Sequence, residues 1–174
     1  MSAASSFACP TGPFVRAEIE SRAEALPGAA ATIVCSDGSS WTGVYGEATL
    51  GSGRLIAADS VFQIASVSKT FAGVALAIAQ SEGLLQLDEP TYQILPTTSI
   101  GQGGSGTEIN LMHLASQSSG LLPHSYTNFI EERSGYDSMI KKLEHAPFIC
   151  RPGACYSYQN VAFSLIGALT RYAG

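Results

Sequence analysis

Apolar and polar positions follow several distinct rhythms along this chain. Residues 13–26, PFVRAEIESRAEAL, space Phe14, Ile19 and Leu26 as an amphipathic helix would. Residues 31–46, ATIVCSDGSSWTGVYG, are two strand-like runs around Asp37-Gly38, the signal of a β-hairpin. A Gly-containing loop over 47–60 leads to the short apolar stretch Val61-Phe62-Gln63-Ile64. Residues 67–83, VSKTFAGVALAIAQSEG, are apolar or small nearly all round a helix, which predicts burial on most sides, with Gly83 as the stop. LLQLDEPTYQILP then passes through a Pro-marked turn, and residues 97–107, TTSIGQGGSGT, read as a flexible loop. INLMHLASQ predicts a short helix followed by the loop SSGLLPHS. Residues 136–145 predict a second amphipathic helix, and RPGACYSYQN a turn into a last apolar helix, VAFSLIGALTRYAG. No internal repeat is present.

The bulk numbers narrow the class. At 174 residues, with 45% hydrophobic and 13% charged, the chain suits one packed domain. A net charge of −5 argues against nucleic acid, which needs clustered Lys and Arg. Lys141-Lys142 is an ordinary solvated pair beside Asp137 and Glu144. No apolar run suffices for a membrane span, and the N-terminus lacks the basic and apolar regions of a secretory signal. The expected location is therefore cytoplasmic or unassigned. Cys9, Cys35, Cys150 and Cys155 lack paired CxxC spacing and the three His are scattered, so no metal and no cofactor is expected. Cys35 reads as a small core residue. Cys150 and Cys155 bracket a Pro-Gly turn and can approach one another, but without an export signal free thiols are expected.

Chemistry concentrates at Ser66-Val67-Ser68-Lys69. A serine hydroxyl is a poor nucleophile until a base takes its proton. Residues three apart share a helix face, so Lys69 reaches the Ser66 oxygen. An apolar surround would make that lysine a better base, and the helix start offers backbone N–H groups to an oxyanion. Taken alone, the pattern also suits an N-cap serine with a surface lysine, and Ser138-Met139-Ile140-Lys141 repeats it by chance in a charged helix. A second signal is Pro152-Gly153 followed by Tyr158-Gln159-Asn160 at a helix start. A phenol near a lysine can act as base and then as acid. The Asn160 amide can contact Lys69 or a substrate carbonyl. Alone, Y-x-N would be tyrosine packing and a helix cap.

Together these segments resemble the class C β-lactamase, DD-peptidase and family VIII esterase group. The stretch from Val61 through Ser66 and Lys69 to Phe71 resembles that group's nucleophile segment. The run from Gly83 to Pro90, with Ile94-Leu95-Pro96, resembles the group's stretch after the nucleophile helix. The run from Ile109 through His113 and Gln117 to Leu121 is similar to "I-T-x-x-H-L-L-x-H-x-S-G-L", and Arg151-Pro152-Gly153 with Tyr158-Gln159-Asn160 is similar to the P-G…Y-x-N element. The resemblance implies an α/β, β-lactamase/transpeptidase-like fold with a sheet domain and a helical domain, the site lying between them. It implies Ser66 as acyl acceptor, Lys69 and Tyr158 as proton handlers, Asn160 as the substrate-amide contact and the Ser66 N–H as one oxyanion donor. His113 is expected to be structural, and His124 and Ser125 fall on a loop able to line the pocket.

The group's third motif, K-T-G or H-x-G on a later strand, has no counterpart after Asn160. The expectation is therefore a partial domain over 13–174 behind a tail at 1–12, truncated before the C-terminal strands, with an incomplete, exposed-edge sheet. Its partners would be a small-molecule or peptide substrate and a missing C-terminal segment of the same enzyme. Losing one oxyanion donor costs about 100–1000-fold in a serine protease. The expected activity is a serine hydrolase or acyltransferase acting on β-lactams, peptides or esters. The rival is a non-catalytic binding or sensor domain, or an inactive fragment keeping the fold. An α/β-hydrolase would need G-x-S-x-G, which is absent, and Gly101-Gln102-Gly103-Gly104-Ser105-Gly106 lacks the strand and acidic partner of a dinucleotide site.

Overall fold

The computed structural model describes residues 13–173, so the tail expected at 1–12, Cys9 within it and the Phe14 side chain lie outside what is described. The chain divides into two compact units, Met1–Gln63 and Ile64–Gly174.

In the first unit, helix α1 (Pro13–Ala23) precedes strands β1 (Gly28–Val34) and β2 (Ser40–Gly46). The helix buries Ala23, and Leu26 lies beyond its end. The strands pair antiparallel from Gly28 opposite Gly46 to Val34 opposite Ser40, the hairpin the sequence predicts. Its turn is held by the Asp37 carboxylate, which accepts from the Ser39 N–H at 2.9 Å and hydroxyl at 2.7 Å. Gly38, at φ 83°, takes the left-handed conformation the turn requires. The Thr32 and Thr42 hydroxyls meet across the ladder at 3.0 Å. Among the described residues the sheet has these two strands alone, so both its edges lack a neighbour. The loop after β2 is shaped by Glu47, whose carboxylate accepts from the N–H groups of Gly51 and Gly53.

The second unit is helical: α2 (Ser68–Ser81), α3 (Thr91–Ile94), α4 (Leu111–Ala115), α5 (Thr127–Glu131), α6 (Tyr136–Lys141) and α7 (Asn160–Ala173). Its core gathers Leu76, Leu85, Leu95, Ile109, Leu111, Leu114, Leu121 and Leu143 around α7. That helix contributes Val161, Ala162, Leu165, Ile166 and Leu169, the one-face spacing of a helix packed on a core. Each fully buried Leu or Ile contributes about 1.5–3 kcal/mol. Helix α4 starts at a capping box: the Asn110 side chain accepts from the His113 N–H at 2.9 Å, and His113 Nδ1 accepts from the Asn110 N–H at 3.3 Å. His113 is thus structural, as expected. The Ser138/Lys141 pair is exposed on α6.

Four expectations are corrected. Helix α2 is not buried on most sides: it buries Leu76, while Phe71, Val74 and Ile78 are 66%, 60% and 52% exposed. Its apolar circumference calls for neighbours on every side, and the described residues supply a wall on one. Residues 97–107 form a pinned turn rather than a flexible loop. Ile100 is buried, Gly101 donates to the Leu143 carbonyl at 2.8 Å, and a side chain on Gly101 would strike Phe148. Finally, Cys150 and Cys155 form a disulfide rather than free thiols. The turn at Pro152-Gly153, with Gly153 at φ 78°, folds the segment back and leaves their Cα atoms 6.3 Å apart, within disulfide reach. Cys35, expected as a core residue, is half-buried and also disulfide-bonded. Among the described residues no helix is long and apolar enough to cross a membrane.

Candidate active site

Ser66 sits in a single 3₁₀ turn, Ala65–Val67, that runs directly into α2. Ala65 before it has φ 45°, a left-handed conformation that costs a residue with a Cβ about 1 kcal/mol or more. The turn leaves the Ser66 side chain exposed at the head of the helix. Among the described residues nothing accepts from the Ser66 N–H, which leaves that donor open beside the hydroxyl. Lys69 lies one turn on, and its Nζ donates to Ser66 Oγ at 3.1 Å. The reach expected from the spacing is realised.

Tyr158 arrives 92 positions later in sequence, and its hydroxyl meets Ser66 Oγ at 2.6 Å. Lys69 Nζ stands 5.0 Å from the centre of the Tyr158 ring and 5.2 Å from that of Phe163, on α7. The Lys69 ammonium, acting at the phenol oxygen, holds Tyr158 below the ordinary tyrosine value. The hydrogen bond with Ser66 adds to this, and partial burial opposes it. The surround of Lys69 is partial: the residue is half-buried between these two rings, not sunk in a closed apolar helix. Asn160 is half-buried at the first position of α7, and among the described residues no hydrogen bond joins its amide to Lys69 or Ser66. Ser66, Lys69 and Tyr158 are therefore brought together, with Asn160 on the helix just beyond Tyr158.

Several supporting residues escape a reading of motifs. Buried Ser157 donates its N–H to the Gln117 carbonyl at 2.7 Å and its hydroxyl to the Leu121 carbonyl. Buried Gln159 donates its N–H to Gln117 Oε1 at 2.8 Å, accepts from the Val161 N–H at 2.8 Å and reaches the Ser125 carbonyl at 3.0 Å. It caps the entry to α7. His124, at φ 57°, donates its N–H to the Tyr158 carbonyl at 2.9 Å, and the two rings lie 5.5 Å apart. Of the loop pair expected at the pocket, His124 flanks the tyrosine. The Ser125 hydroxyl turns back to the Leu122 carbonyl. Polar residues between motif letters, such as Gln159 inside Y-x-N, were the available signal. Among the described residues no three His, Cys, Asp or Glu side chains gather as a metal site would need.

A family model for beta-lactamase matches residues 15–174. A beta-lactamase of Yersinia enterocolitica is 27% identical over 146 residues, which are 84% of this chain and 36% of that protein. A D-alanine carboxypeptidase from Burkholderia cenocepacia superposes with a TM-score of 0.68 at 26% identity, over 91% of this chain and 41% of that one. A D-stereospecific amidohydrolase from a Streptomyces species gives 0.67 at 27% identity, over 87% and 46%. The chain spans less than half the length of each of these relatives, and its fold is part of the β-lactamase/transpeptidase-like fold they share. Most of its length matches one family model, and the chain belongs to the beta-lactamase family.

Proposed function

We propose that this chain carries the nucleophile-bearing part of an active-site-serine hydrolase or acyltransferase that works through an acyl-enzyme on Ser66. One observation carries the reading: the Ser66 hydroxyl lies 2.6 Å from the Tyr158 hydroxyl and 3.1 Å from Lys69 Nζ. The ammonium shifts the phenol toward its ionised form, and the phenolate takes the Ser66 proton as Oγ bonds to the substrate carbonyl carbon. The open Ser66 N–H donates to the oxyanion. When the bond to the leaving group breaks, Tyr158 returns the proton to the departing nitrogen or oxygen. Water then attacks the ester, Tyr158 takes its proton, and Ser66 Oγ recovers it as the acyl group leaves. Asn160 is assigned to the substrate's amide. Substrates are small carbonyl compounds or peptides, as the carboxypeptidase and amidohydrolase neighbours suggest. β-Lactam, peptide and ester all fit the same set.

The open faces of α2 and the lone oxyanion donor support a second reading, a domain that acylates without turning over, or a fragment awaiting further strands of the same enzyme. The Cys150–Cys155 disulfide favours maturation in an oxidising compartment over the reduced cytosol. Incubation with a fluorescent penicillin and, separately, a fluorophosphonate, followed by intact mass and adduct mapping, tests both readings. An adduct on Ser66 that is absent in Ser66→Ala is expected. Release on incubation marks a hydrolase, and persistence marks a sensor. A folded chain that acquires no adduct rejects the proposal.

A further inference from the structure

We propose that Gln117 is a positioning residue for Tyr158, clamping the backbone on both sides of the phenol that meets the nucleophile. The proposal rests on the reading of Tyr158 as the proton handler. Gln117 lies just beyond α4, is 7% exposed, and takes a left-handed conformation at φ 57° that disfavours a residue with a Cβ. From that turn it offers two acceptors at once. Its main-chain carbonyl accepts from Ser157 N–H at 2.7 Å, and its side-chain Oε1 accepts from Gln159 N–H at 2.8 Å. These are the amides immediately before and after Tyr158. The third contact, from the His124 N–H to the Tyr158 carbonyl, completes the grip on that residue's backbone.

The chemistry of the amide settles its orientation, because only an oxygen can face the Gln159 N–H. The consequence is a cost: Gln117 Nε2 is buried without a partner among the described residues. A buried amide that leaves its donor unpaired contributes to this site through its acceptor. Fixing both peptide planes fixes where the Tyr158 side chain departs from the backbone, and with it the 2.6 Å approach to Ser66. A displacement of even 1 Å from a productive geometry can slow a reaction by about 100-fold.

The test compares Gln117→Met, which keeps volume and removes the acceptor, with Gln117→Glu, which restores an oxygen. Three readouts apply to the full chain: exchange of the Gln159 amide, phenol titration by ultraviolet difference against Tyr158→Phe, and the rate of Ser66 labelling by a fluorophosphonate. In Gln117→Met the Gln159 amide is expected to exchange at least about tenfold faster. The Tyr158 titration should move toward the ordinary tyrosine value, and labelling should slow by about 10–100-fold. Gln117→Glu should recover the amide protection. A folded Gln117→Met chain whose amide exchanges faster while titration and labelling stay unchanged would overturn the proposal, since Gln117 would then be structural alone. If that variant fails to fold, the parent chain decides: a Gln159 amide exchanging as fast as those of exposed residues 61–63 overturns it as well, and a protected one supports it. Phenol titration needs no acylation. A parent chain with no Ser66 adduct but with the titration shift in Gln117→Met therefore rejects the proposed activity and leaves the clamp standing.

Discussion

Helices α2 and α7 are each 14 residues long and similarly apolar, and their fates differ. Helix α7 buries Val161, Ala162, Leu165, Ile166 and Leu169 in the core, whereas α2 buries Leu76 and leaves Phe71, Val74 and Ile78 in the open. Apolar side chains are a demand for cover, and whether the demand is met depends on what the rest of the chain brings alongside. Helix α7 packs against α3, α4, α5 and α6, while α2 packs mainly against α4 and the 3₁₀ turn at its own start and reaches α7 through Lys69 and Phe163. Yet the site draws on both, with Lys69 from the open helix, Ser66 from the turn that leads into it, and Tyr158 from the segment that enters the covered one. In the proposed chemistry, a well-anchored partner supports a nucleophile at the head of a poorly covered helix.

The largest effect expected is at the open helix. Ser66→Ala should abolish the adduct with a fluorophosphonate, read by intact mass, because among the described residues no other serine or threonine hydroxyl bonds to both Lys69 and Tyr158. Next comes the segment entering α7. Tyr158→Phe keeps the ring and removes the proton carrier, so labelling of Ser66 should slow by about 100–10,000-fold. An unchanged rate would mean that Lys69 alone serves as base. In stability, Leu165→Ala should cost about 2–5 kcal/mol in chemical denaturation, since Leu165 is 1% exposed.

A smaller effect joins the two helices through charge. Because Lys69 favours the ionised form of Tyr158, labelling should climb with pH and level off below the ordinary tyrosine value of 10.0. In Lys69→Ala the phenol titration should move upward toward that value. No movement would separate the ammonium from the phenol. The smallest effect is at the exposed face: Val74→Ala should change stability by no more than about 0.5 kcal/mol. A loss as large as that of Leu165→Ala would show α2 covered in solution and erase the contrast between the helices.

What depends on near neighbours is legible along the chain. The hairpin around Asp37-Gly38, the ends of α2, the start of α7 and the Ser66–Lys69 reach come from turn chemistry, helix period and spacing. Motif order also placed Tyr158 with them, because the blocks stand in the order of the family the chain belongs to. Tertiary structure alone decided what depends on distant neighbours. The exposure of α2 reflects how little of the chain packs against it. The Cys150–Cys155 disulfide depends on a turn that closes 6.3 Å, which no inference from compartment supplied. The loop over 97–107 is pinned by Leu143, some forty positions away. The grip of Gln117 on Ser157 and Gln159 joins segments separated by about as much. A period or a motif reads along the chain, whereas burial, disulfide closure and backbone clamping depend on segments that meet only in the folded state.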